Sequence, residues 1–117
     1  MDRDVESLLD ILASARMAQA YVEGVSHHEF LQDGKLQDSV IRRLEIIGEA
    51  VGRISPSFLE KNPEIPWGRI KAVRNRMIHR YDDVDMTIIW DTVQESIPQL
   101  LAMIEPLVPP ESGEWPQ

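Results

Sequence analysis

Four stretches of this chain carry apolar residues at steps of three and four, and glycine or proline stands in the gaps between them. That spacing sets one face of an α-helix, at about 100° per residue, and it fits no strand. The first stripe is Val5, Leu8, Leu12, Ala15, Ala18 and Val22, predicting a helix from about Asp4 to Glu23 that stops at Gly24. The second is Val40, Leu44, Ile47, Val51 and Ile54, on a helix from about Lys35 to Ile54. The third, Ile70, Val73 and Met77, follows Pro66, which fits a first turn because its missing amide proton costs nothing there. The last runs Met86, Ile89, Val93, Ile97, Leu100, Ile104 and Leu107, with Asp85 placed to cap it and Pro98 placed to kink or split it.

Shorter signals fill the gaps. Ser26 with Glu29 three residues on is a capping box, opening a short helix that ends by Gly34. Ser55 before Pro56 opens another through Glu60, and Pro63 and Pro66 bracket a turn. The chain reads as all-α: a bundle of four longer helices and one or two short ones, with residues 1–108 as a single domain and 109–117 as an irregular tail. Gly48, in mid-helix, predicts close approach of another helix, either that of the third stripe or one from a second copy. His27 and His28 are adjacent, about 100° apart on a helix, so they do not chelate one metal and read as exposed polar residues.

Composition narrows the class. The 117 residues suit one domain, and the chain has no cysteine, so neither disulfides nor thiolate zinc sites arise. No apolar run nears the roughly 18 residues that span a membrane, and MDRDVESLLD lacks a basic leader; the expected location is cytoplasmic. The net charge of −8 is unevenly spread: all 12 Lys and Arg precede residue 82, while residues 82–117 hold 8 acids. An acidic C-terminal third disfavours long duplex DNA, yet a local basic patch can still attract phosphates.

Such a patch lies in WGRIKAVRNRMIHRY, residues 67–81, where Arg69, Lys71, Arg74, Arg76 and Arg80 stand with no acid among them and a single histidine, His79. On a regular helix Asn75 and His79 lie about 40° apart, but Arg74 and His79 lie about 140° apart. Those two therefore meet only if the helix unwinds near His79 or a second copy completes the site. Histidine suits proton transfer and arginine suits clamping a phosphate, the two needs of RNA cleavage by the ribose 2′ oxygen. On helix three, Glu45 and Glu49 share a face. They can form ion pairs, Glu45 with Arg42 and Glu49 with Arg53, or Glu45 can orient Arg74, or the two can bind a cation.

Arg74, Asn75 and His79, as R-N-x3-H, together with Tyr81, as R-x4-H-x-Y, resemble the signature of the HEPN superfamily, and the chain is similar to its HepT-like branch of toxin ribonucleases. The likeness extends through RRLEIIGEA at 42–50, Trp67, Val84 and Asp85, Trp90, and IPQLL at 97–101. The resemblance implies a homodimer with facing motif helices and a metal-independent endoribonuclease acting on tRNA or mRNA, with no cofactor. It implies His79 as acid or base, Arg74 as phosphate clamp, Asn75 as orienting group and Tyr81 as substrate contact, with Glu45, Arg76 and Arg80 in support. It also implies a minimal nucleotidyltransferase as antitoxin, which adds AMP to Tyr81. Two other readings of the residues stay open: a non-catalytic nucleotide-binding HEPN module that serves a nucleotidyltransferase, and a DNA-reading helix-turn-helix formed by the Ser55 helix, the proline turn and the basic helix.

Overall fold

The first stripe does what its spacing predicts. In the computed structural model, which describes residues 3–72 and 85–109, helix α1 (Arg3–Tyr21) buries Leu8, Leu12, Ala15 and Ala18, with Ile11 beside them. It ends just short of Gly24, whose φ of +75° lies in the left-handed region where a side chain is strained. Helix α2 (His27–Leu31) starts at the capping box: Ser26 Oγ accepts from Glu29 N at 3.1 Å, and Ser26 N donates to Glu29 Oε1 at 2.9 Å. The bond from Ser26 N to its carboxylate, helped by the Ser26 side chain, holds the Glu29 pKa below the usual glutamate range.

Helix α3 (Gly34–Gly52) is capped by Asp33, which accepts from Leu36 N. It buries the whole predicted stripe up to Val51, and Ile54 just beyond. The helices α1 and α3 run antiparallel, since Met17 meets Arg43, Asp10 meets Arg53 and Asp4 meets Ser55. Their seam is the main body of the core, and Phe30 of α2 is fully buried against the same cluster. Helix α4 (Pro56–Lys61) opens at Ser55, and helix α5 is described over 67–72.

The last stripe is one helical run in three parts: α6 (Met86–Asp91), a π-helical turn (Thr92–Ser96) and α7 (Ile97–Ile104), followed by a short 3₁₀ turn. Asp85 caps it as expected, accepting from Thr87 N at 2.8 Å. Pro98 splits the run by widening it: Ile97 N donates to Thr92 O, five residues back, just ahead of the residue that has no amide proton. The widening also serves the core. Two successive steps of four, Ile89 to Val93 to Ile97, drift by about 80° around a regular helix, yet all three are at most 3% exposed because the wide turn absorbs the drift.

Among the described residues there is no strand and no helix long and apolar enough to cross a membrane. The all-α architecture is as read from the sequence. Val73, Met77, Val84 and the tail beyond residue 109 lie outside the described residues.

Candidate functional site

Arg74, Asn75, Arg76, His79, Arg80 and Tyr81 lie outside the described residues; what the structure places is the footing on either side of them. Upstream, the chain turns sharply between α4 and α5. Trp67, only 8% exposed, donates its indole N–H to Asn62 O at 3.0 Å and meets Phe58 edge-on. Asn62 Nδ2 in turn donates to Phe58 O, and Ile65 fills the inside of the turn. Pro66 O then accepts from Arg69 N and Ile70 N, so helical bonding starts at the expected proline. Ile70 packs on the core while Arg69 and Lys71 are exposed, and neither cation has an ion-pair partner among the described residues. Lys71 lies along the C-terminal end of α3, where a methyl group added at Gly52 would sit 3.9 Å from its Cε. A cation there complements the negative end of the helix dipole.

Downstream, α6 is fixed by α2. His27 stacks on Trp90 with centroids 5.6 Å apart and planes 13° apart, and shares a 3.2 Å hydrogen bond with Thr87 Oγ1. Phe30 meets the same indole at 5.4 Å. His27 is exposed, as expected, but it is also a tertiary contact that its sequence neighbours gave no sign of.

On α3 the acid pair is partly as predicted. Arg42 lies 3.8 Å from Glu45, the expected pair, and 3.3 Å from Glu49 two turns along the same face. The expected pairing of Glu49 with Arg53 is corrected: α3 ends at Gly52, and Arg53, just past that end, reaches across to Asp10 of α1 at 3.1 Å. Orientation of Arg74 by Glu45 falls on a residue outside the described set. No three His, Asp or Glu side chains gather as metal ligands among the described residues.

A second carboxylate with a depressed pKa marks a fastening in the scaffold. Asp4 accepts from Ser55 Oγ at 2.6 Å and from Ser55 N at 2.8 Å, which favours its charged form, while Ser55 Oγ accepts from Phe58 N to cap α4. The first turn of α1 is thereby tied to the element that leads into α5.

Beside the root of α5 lies a groove of about 130 Å³. Its floor is apolar, from Leu44 and Ile47 of α3, Ile70 of α5, and Leu100 and Met103 of α7. Its exposed lining is polar: Arg69 from α5, Ser96 from the π turn and Gln99 from α7. Sequence reasoning missed it because its walls come from three separated segments and the π turn. Only Ile70, at the edge of the basic stretch, hinted at a surface there.

A family model described as "Ribonuclease HepT-like" matches residues 11–107. A protein of Thermococcus cleftensis named "Probable ribonuclease HepT" is 40% identical over 100 residues, covering 86% of this chain and 91% of that protein. A Methanocaldococcus jannaschii protein named "Putative RNase MJ0127" is 36% identical over 113 residues, covering 96% of this chain and 93% of its own. No solved structure matches the chain at a significant level.

Proposed function

The chain belongs to the HepT-like ribonuclease family, and on that premise we propose that it is a toxin that cuts RNA internally without a metal ion. The observation that carries this reading is the family match over 11–107, a span that contains Arg74, Asn75, His79 and Tyr81 in R-x4-H-x-Y order. The footing of α5 supports it, because Trp67 and Ile70 turn the apolar face inward and leave the cationic residues Arg69 and Lys71 exposed.

In the proposed reaction a base removes the proton of a ribose 2′ hydroxyl. The oxygen attacks the adjacent phosphorus, the bond to the 5′ oxygen breaks, and an acid protonates that leaving oxygen. The products are a 2′,3′-cyclic phosphate and a 5′ hydroxyl. His79 takes an acid or base role, Arg74 holds the charge developing on the phosphate, and Asn75 orients the imidazole or a ribose hydroxyl. Tyr81 contacts substrate, while Arg76, Arg80 and Glu45 support the site. Two copies of the chain form the working unit, so that Arg74 of one and His79 of the other flank one cleft. A minimal nucleotidyltransferase is the antitoxin: the Tyr81 oxygen attacks the α-phosphorus of ATP, pyrophosphate leaves, and the added phosphate beside Arg74 and His79 repels RNA.

The test is cleavage of purified tRNA and of a generic mRNA in EDTA, by wild type and by His79→Ala, with the product ends mapped. Cyclic-phosphate ends that vanish in the variant support the reading. An unmodified dimer that cuts neither RNA, or a variant that cuts as well as wild type, defeats it and favours the nucleotide-binding module. Full control of Tyr81→Phe by the nucleotidyltransferase would remove the modification step alone.

A further inference from the structure

The groove beside α5 is built unlike a gap left by imperfect packing. Its apolar floor meets a rim on which the side chains of Ser96 and Gln99 make no hydrogen bond among the described residues, whereas Thr92, also on its wall, spends its hydroxyl on Ile88 O at 2.7 Å. A hydroxyl and a carboxamide each both donate and accept, which suits the mixed edge of a heterocycle and would be wasted on an apolar side chain. Arg69 lines the same groove, exposed and without a carboxylate partner among the described residues, while Arg42 faces the α3 acids, Glu45 and Glu49.

From this arrangement we propose that the groove holds one unpaired base of the RNA, its face on the apolar floor, its edge towards Ser96 and Gln99, and its phosphate on Arg69. The proposal rests on the ribonuclease reading and deepens it by naming a determinant of where the enzyme cuts. At about 130 Å³ the hollow has the scale of a single heterocycle, which fits one unpaired base of single-stranded RNA. On the ribonuclease reading, with Arg69 five residues before Arg74 in the chain, the proposal puts this base next to the scissile phosphate, so that one position beside the cut carries a base preference. The π turn matters to this function because Ser96 belongs to it and Gln99 follows directly after Pro98.

The chain has five methionines, and Met103 lines the groove, so methyl-labelled methionine reports on it directly. Full-length His79→Ala protein is titrated with each of the four nucleoside 5′-monophosphates and with ribose 5-phosphate. At least one nucleotide is expected to move the Met103 methyl saturably, ribose 5-phosphate is not, and Ser96→Leu is expected to weaken the response at least tenfold. The other methyl signals show whether that variant is folded, and Arg69→Ala gives a second variant for the phosphate contact. A Met103 signal unmoved by every nucleotide overturns the proposal, as does an equal response to ribose 5-phosphate, or one that tracks protein concentration alone and so reports a second copy on this face. Cleavage of RNA by the wild-type protein, assayed in parallel, separates the two readings. Cutting with a silent Met103 refutes the base site alone, whereas a responsive Met103 without cutting keeps the base site and refutes the ribonuclease.

Discussion

Replacing Trp67 tests whether the α4–α5 corner is what holds the basic helix in place. Trp67→Phe removes the 3.0 Å bond from the indole N–H to Asn62 O, at a net cost of about 1 kcal/mol. It also removes one ring from a site only 8% exposed; shedding roughly 40 Å² of buried apolar area costs about 1 kcal/mol more. The expected loss is therefore about 2 kcal/mol, rising to about 3–5 kcal/mol for Trp67→Ala, which leaves a cavity beside Phe58 and Ile65. These are large shares of a total stability of about 5–15 kcal/mol for a domain of this kind. Urea unfolding followed by far-UV circular dichroism gives the loss, and RNA cleavage per folded molecule gives its effect on the site. If Trp67→Phe loses less than about 0.5 kcal/mol and cleaves RNA as wild type does, the corner is held by something else and the reasoning fails.

Three further outcomes follow from named contacts. The Asp4 carboxyl has its folded pKa lowered by its two bonds from Ser55, so its contribution is fully present above the usual aspartate range and is lost as pH falls from there through the lowered folded value. Asp4→Asn should cost about 1 kcal/mol at pH 7, a figure already reduced for the exposure of the carboxylate, and should flatten the acid limb of stability measured by urea midpoints from pH 7 to 3; an unchanged limb would count against the fastening. Gly24→Ala meets open space but forces a methyl-bearing residue to φ +75°, so it should cost about 1–2 kcal/mol by strain alone, read as a drop in melting temperature. A double-mutant cycle on Asp10 and Arg53 should give a coupling below about 1 kcal/mol that shrinks with salt, while one on Glu49 and Arg53 should give none.

Local rules carried the reading of the fold a long way. Stripes at helical spacing predicted most of the buried residues of α1, α3 and α7, although Val5 is only half-buried and Ile11, Ile41 and Leu101 are buried outside the stripes; side-chain caps at Ser26, Ser55 and Asp85 placed three helix starts, because each signal acts within a few residues. Pro98 announced a break, and the three-part helical run is that break, although its π form depended on the core spacing of Ile89, Val93 and Ile97. Partners distant in sequence were not legible. Arg53 found Asp10, 43 residues away, in place of Glu49, and Asp4 found Ser55, 51 residues away. His27 on Trp90 and the polar-rimmed groove escaped for the same reason, since no local pattern says which helix faces will be neighbours. For the candidate site, the sequence supplied the motif, and the structure supplied the ground it stands on.

The antiparallel pairing of α1 with α3 also orders events during synthesis. Its main seam is complete once residue 52 has been made, and the bond from Ser55 to Asp4 closes it three residues later. At about 5–20 residues per second, the 26 residues that follow Ser55 up to Tyr81 take roughly 1–5 s more. A paired scaffold can thus be waiting at the ribosome before the basic segment appears. The part of the molecule proposed to attack RNA is made after the paired helices it folds against.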